Sequence, residues 1–221
     1  MVIILEKILN LIYPQVCSIC GKLNKKSLCN RCKIKLEKDF KFKKDNYSND
    51  SEKNFIEHYY FFKYENLIRG QILLLKFQEK PYIYKTIAHF LENKRKYFEK
   101  LKKYDIITVV PISNKRLKQR GYNQSELIAK EISKILSIQI KTNIIEKIKD
   151  TPPQSTLNKN QRKENAKGAY IAKNTQKIKD KKILIIDDIY TTGNTINECA
   201  KVLVQNGIDR KNIGVLTIAK D

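Results

Sequence analysis

Ile183-Leu-Ile-Ile-Asp-Asp-Ile-Tyr-Thr-Thr-Gly-Asn-Thr195 is the stretch on which the fold turns. Ile183 to Ile186 is wholly apolar, the pattern of a strand buried on both faces of a parallel sheet. Two adjacent carboxylates inside such a strand would be costly to desolvate. Asp187 and Asp188 therefore belong at its carboxyl end, at the mouth of the crevice where open α/β sheets take ligands. Thr191-Thr192-Gly193 follows, small and hydroxyl-bearing, and opens a helix. Backbone amides at a helix start, helped by the dipole, attract an anion, and the hydroxyls of Thr191, Thr192 and Thr195 add donors. Two carboxylates would repel a bare phosphate. A sugar phosphate meets both demands, its hydroxyls donating to the acids while its phosphate faces the amides. A Mg²⁺ ion suits the same oxygen-rich spot.

Outward from this stretch, helices and strands alternate. Asn194 to Asn206 reads as a helix with the apolar stripe Ile196, Cys199, Ala200, Leu203 and Val204, which makes Cys199 a core residue. Ile213 to Ile218 and the β-branched run Asp105 to Pro111 read as strands, as does Tyr59 to Tyr64. Leu67 to Phe77 and Lys80 to Phe98 read as helices. Asn123 to Leu136 is an amphipathic helix whose start resembles a capping box, Asn123 as cap and Glu126 three residues on. This order predicts an α/β fold, a parallel sheet with helices on both faces. The 221 residues hold one such domain, 57–221, plus a small appendage. Residues 41–56 are polar and rich in turn formers, the profile of a surface linker. His58 and His89 read as structural or solvent-facing.

The appendage, 1–40, carries an amphipathic helix over Met1 to Ile12 (Ile4, Leu5, Ile8, Leu9 and Ile12 on one face) and four cysteines. Cys17-x2-Cys20 and Cys29-x2-Cys32 are two identical hooks, a spacing that brings four thiolates around one Zn²⁺ as a closed structural site. Disulfides are the other reading, disfavoured because no secretory signal precedes them. No run approaches the ~18 apolar residues of a membrane span. A cytoplasmic protein is expected.

The formal charge of +22 attracts polyanions, nucleic acid among them. It equally suits a chain rich in Lys, Asn and Ile in which much of the lysine is solvated surface. A strand ending in two aspartates also opens receiver domains, but those need far more chain than follows Asp188. The dinucleotide fingerprint GxGxxG and the Walker GxxxxGK[ST] are absent from the sequence.

The apolar strand, two acids and TTG turn resemble the type I phosphoribosyltransferase signature. Val109-Val-Pro-Ile-Ser113, Arg116 and Arg120-Gly-Tyr-Asn-Gln124 are similar to the corresponding region of the ComF competence family. So are Thr151-Pro-Pro-Gln-Ser155, followed by Arg162 and Asn165, and the cysteine knuckle behind Tyr13-Pro14. The resemblance covers nearly the whole chain and is weakest at 41–56. It implies a phosphoribosyltransferase-like domain joined to a four-cysteine zinc finger. It implies that Asp187 and Asp188 bind the ribose hydroxyls of phosphoribosyl pyrophosphate (PRPP), with Mg²⁺ held indirectly. Thr191, Thr192, Gly193, Asn194 and Thr195, beside Tyr190, would take the 5′-phosphate. Ser113, Lys115, Arg116 and Arg120 would face the pyrophosphate. Residues 151–168 have the profile of a mobile lid, with Arg162 and Lys163 as its phosphate-reaching side chains. Members of that family are associated with natural transformation, which implies single-stranded DNA and other DNA-uptake proteins as partners, and Tyr122 is a candidate for base stacking. Either a phosphoribosyl transfer to an unnamed acceptor or a non-catalytic DNA-binding scaffold with a regulatory or vestigial pocket is compatible with these residues.

Overall fold

The computed structural model describes residues 16–77, 82–151 and 166–221. The expected helix over Met1 to Ile12 and the lid residues Arg162 and Lys163 lie outside them. Six strands form the main sheet: β1 (Lys43–Asn46), β2 (Glu57–Lys63), β3 (Ile106–Val109), β4 (Gln139–Ile140), β7 (Ile183–Tyr190) and β8 (Ile213–Lys220). Their order is β1-β2-β8-β7-β3-β4, all parallel except β1, which runs antiparallel to β2. A separate antiparallel ribbon pairs β5 (Ile145–Lys147) with β6 (Tyr170–Ala172).

Strand alternation sorts the core into two layers. Leu184 and Ile186 of β7 join Ile107, Val109, Leu216 and Ile218 on one face. That face is covered by α1 (Asn30–Asp39), α2 (Asn66–Phe77), α3 (Ile83–Glu92) and α5 (Gln124–Leu136). Ile183 and Ile185 join Ile106, Ile213 and Val215 on the other, under α6 (Asn194–Gln205) and the ribbon. The chain leaves β3 through α5 toward β4, and leaves β7 through α6 toward β8. Opposite departures open a crevice between the carboxyl ends of β3 and β7, where such sheets bind ligands.

Three expectations need correction. The stretch 41–56 is no free linker: Lys43–Asn46 is an edge strand and Phe55 is fully buried. An edge strand is solvated on its outer side, so KKDN carries no apolar signal. The helix expected over Lys80 to Phe98 is interrupted. Its α-helical part ends at Glu92, where Asn93 donates to the His89 carbonyl at 2.9 Å. A 3-10 segment, Arg95–Leu101, then buries Phe98 and Leu101. Finally, β7 does not stop at Asp187, because β8 stays in register to Lys220 and pairs Ile189 with Ala219 and Tyr190 with Lys220. Asn123 does cap α5, accepting from the Ser125 amide, while Glu126 turns away to Lys130 at 2.7 Å.

Candidate functional site

A cavity of about 660 Å³ opens at the carboxyl ends of β3 and β7. Adjacent residues of a strand point to opposite faces, yet Asp187 and Asp188 both line this one cavity because it wraps the end of β7. Both are buried. The Ser125 hydroxyl, at the start of α5, donates to Asp187 Oδ1 at 2.7 Å, and the Asp188 amide donates to the same oxygen at 2.9 Å. Burial first, and then the Asp188 charge, raise Asp187 well above the usual carboxylate range. Lys76, in the last turn of α2, approaches Asp188 Oδ1 to 3.0 Å. The other oxygen, Oδ2, is buried with no hydrogen-bond partner among the described residues. A buried carboxylate with unspent acceptor capacity is a place where a donor is missing.

Thr191, Thr192, Gly193, Asn194 and Thr195 line the same cavity and lead into α6. Gly193 takes φ 73°, left-handed, and a Cβ there would lie 2.3 Å from the Tyr190 ring. Tyr190 is not in the cavity wall. It is buried behind the turn, stacked on His58 at 4.2 Å, and shapes the turn from beneath. His58 is itself buried, with Nε2 2.9 Å from the Thr217 hydroxyl, whereas His89 is exposed 3.9 Å from Glu92.

The basic side of the cavity comes from α4 (Asn114–Arg120), a short helix capped by Ser113 and stopped by Gly121 in the left-handed conformation. Arg116 and Arg120 line the cavity; Ser113 and Lys115 do not. The Ser113 hydroxyl donates to Asp150 at 2.7 Å and Lys115 lies 3.8 Å from the same carboxylate, so both tie α4 to the segment after β5. Arg116 donates to the Thr151 carbonyl at 3.0 Å. The wall also holds Arg69, Lys76 and, from the ribbon, Lys147 and Tyr170, none of which the sequence reading singled out. Tyr122 is half-buried, and its hydroxyl donates to the Leu75 carbonyl at 2.6 Å, which ties it to the end of α2.

Away from the cavity, Cys17, Cys20, Cys29 and Cys32 bring their sulfurs within 4.8 Å of one another. The Cys20 and Cys29 sulfurs are 3.8 Å apart. Four sulfurs at ~2.3 Å from a central ion stand about 3.8 Å apart in a tetrahedron, so the cluster has the dimensions of a metal site. The Cys29 amide donates to Cys17 Sγ at 3.4 Å. Cys29 caps α1, an element that the sequence reading did not foresee, and Cys17, Leu28, Cys32 and Leu36 belong to the same core layer as β2.

The phosphoribosyl transferase domain matches residues 76–220, well over half of the chain. The chain belongs to that family. Lys76 through Lys220 thus spans both acids, the turn, α4 and the ribbon. Competence protein F of Haemophilus influenzae is 33% identical over 138 residues, 61% of this chain and 60% of that protein. Competence protein ComFC of Streptococcus pneumoniae is 32% identical over 153 residues, 69% of this chain and 64% of that one. DNA utilization protein YhgH of Escherichia coli is 33% identical over 103 residues, 47% and 44% respectively. These matches bear out the ComF resemblance, and the chain spans less than two thirds of the length of each of these relatives. Among the described residues no helix is long and apolar enough to cross a membrane.

Proposed function

We propose that the cavity binds PRPP or a related sugar phosphate. One observation carries the reading: two buried acids, a Thr-Thr-Gly turn whose left-handed backbone favours glycine, and the cations Arg116 and Arg120 converge on a single cavity. The acids accept from the ribose hydroxyls, residues 191–195 surround the 5′-phosphate, and Arg116 and Arg120 face the pyrophosphate. Mg²⁺ would be held indirectly, through water or through the ligand's own oxygens, since that ion keeps several of its waters. When bound, Mg²⁺ would neutralise charge on the departing pyrophosphate. Should transfer occur, an acceptor lone pair forms a bond to ribose C1 as the C1–O bond breaks. Pyrophosphate leaves with the electron pair, and the acceptor's proton passes to solvent. The chain's own part is to position the two ends of the ligand on rigid elements.

We further propose that this is a competence or DNA-uptake protein that works with single-stranded DNA and other uptake proteins in the cytoplasm. The names of its relatives and the charge of +22 support that role. The cysteine cluster would hold structural zinc, a closed four-thiolate site doing no chemistry. About one equivalent of zinc by atomic absorption is expected. Strand binding should weaken steeply between two salt concentrations.

The deciding experiment is calorimetry with PRPP and Mg²⁺. The wild type should bind, and D187A/D188A should bind at least about a hundredfold more weakly while keeping its circular dichroism. Equal affinity for the two proteins would falsify the assignment. Pyrophosphate release, screened against free bases and DNA, then tests turnover.

A further inference from the structure

Of the cavity cations left without a role, Arg69, Lys76 and Lys147, Lys76 is the one that touches the acid pair. It does not come from the strand-and-turn frame that supplies the acids and the phosphate cradle. It reaches in from the last turn of α2, across the crevice, and its ammonium stops 3.0 Å from Asp188 Oδ1. Its side chain is only 23% exposed and that of Asp188 3%, so the contact is largely shielded from water. Side by side, Asp187 and Asp188 put two negative charges into this shielded space, and Lys76 opposes both, acting on Asp187 as well as on its direct partner. Arg120 also acts on Asp188 from α4, but one arm of its guanidinium is held by the Gln124 side chain, and no ion pair joins it to either acid among the described residues.

This arrangement bears on metal. A direct Mg²⁺ ligand must offer an oxygen within about 2.0–2.1 Å in a near-octahedral set, and Mg²⁺ gives up water reluctantly. An ammonium already seated on Asp188 Oδ1 repels a second cation from that carboxylate, while Asp187 Oδ1 already accepts from Ser125 and an amide. What stays open is acceptor capacity for neutral donors, since Asp188 Oδ2 has no hydrogen-bond partner among the described residues. Hydroxyl groups are such donors.

We propose that Lys76 is the resident counter-ion of the acid pair and a specificity-determining residue, holding the two aspartates ready for the hydroxyls of a pentose 5-phosphate without a divalent ion. Any metal requirement then belongs to a pyrophosphate on the ligand and not to the acids. The inference rests on the sugar-phosphate reading above, and it assigns that reading's metal dependence to one half of the ligand.

Ribose 5-phosphate, which lacks pyrophosphate, separates the two halves. Calorimetry in EDTA should show the wild type binding it, with added Mg²⁺ changing the affinity less than about twofold, whereas PRPP binding should depend strongly on Mg²⁺. K76M should bind ribose 5-phosphate about tenfold or more weakly in EDTA and recover part of the loss in Mg²⁺; K76R should stay within about threefold of wild type. Wild-type affinity in K76M, or a wild type that needs Mg²⁺ for ribose 5-phosphate, overturns the role of Lys76 and leaves the cavity assignment standing. The wild-type metal dependence reads the proposal even if K76M does not fold. A wild type that binds neither compound, or a D187A/D188A variant that binds both normally, removes the sugar-phosphate reading and this inference with it.

Discussion

Two buried acid sites lie at opposite ends of one sheet, and they are built in opposite ways. At the amino end, Glu57 opens β2 and is met by four donors. Lys44 approaches Oε1 at 2.6 Å, the hydroxyls of Tyr59 and Tyr104 donate to Oε2 at 3.0 Å, and Lys103 pairs with the same oxygen. Burial alone would raise this carboxyl, but Lys103, Lys44 and the two hydroxyls outweigh it and hold the group at about 2 instead of 4.5. At the carboxyl end, the Asp187–Asp188 pair shares one lysine and one serine hydroxyl, keeps an oxygen without a partner among the described residues, and Asp187 is pushed upward. A saturated acid holds the fold together. An undersaturated one is strain kept for a ligand.

The contrast is broken most directly at Glu57. E57A leaves two buried tyrosine hydroxyls without their acceptor, while Lys44 and Lys103, about 40% exposed, can turn to water. The expected cost is about 3 kcal/mol, toward the low end for a dismantled buried pair, or a fall in Tm of roughly 6–12 °C. PRPP affinity of the folded fraction should not change. A loss of affinity without a loss of stability would reverse the roles assigned to the two ends.

Acid titration sharpens the same point, because the two sites carry opposite signs. Glu57 has a lowered native pKa, so its contribution is present above 4.5 and is lost as pH falls toward about 2. Asp187 has a raised native pKa, so its contribution is complete below its unfolded value near 3.8 and is lost as pH rises through the native value. Thermal melts should therefore show stability rising as pH drops from 8 to about 5 and falling below about 4.5. E57Q should flatten the acid limb, an effect on the order of 2 kcal/mol, and leave the other limb intact.

A smaller effect is expected beneath the phosphate cradle. G193A forces a Cβ to within 2.3 Å of a Tyr190 ring that His58 backs at 4.2 Å, and it strains a backbone at φ 73°. A cost of about 2 kcal/mol follows. Ribose 5-phosphate affinity should fall with it, because the amides of the turn must move. An alanine variant that binds normally would mean that the turn is not the phosphate site.

How much of this was legible in the sequence depends on how local each signal is. The apolar run before Asp187-Asp188 and the Thr-Thr-Gly turn are contiguous, so strand, acids and helix start could be read together, and the structure gathers them on one cavity. The cysteine hooks were legible for the same reason. Glu57 was not, since its partners Lys44, Tyr59, Lys103 and Tyr104 come from three separate places in the chain. Lys76 was hidden among 45 Lys and Arg residues, and only the path of α2 distinguishes it. The ribbon strands Ile145–Lys147 and Tyr170–Ala172 are three residues each, too short for a period to register. Ser113 and Lys115 were placed by their neighbours in sequence. Their actual partner, Asp150, is 37 and 35 residues away, beyond what local pattern reaches.

The smallest predicted change is also the one that separates strain from structure. D187N keeps the shape of the side chain, and its amide oxygen can still accept from Ser125 and the Asp188 amide. What it removes is one of two like charges in a shielded site. At pH 8, D187N should therefore be more stable than wild type by on the order of 1 kcal/mol, roughly 2–4 °C in Tm. At pH 4 the difference should vanish, because the wild-type carboxyl is then protonated and matches the amide in charge. Affinity for ribose 5-phosphate should fall at pH 8, where the variant is the more stable protein. Stability and binding moving in opposite directions at one atom is the signature of an acid kept charged for its ligand. A D187N variant that is less stable at both pH values would instead make Asp187 a second Glu57, structural like the first.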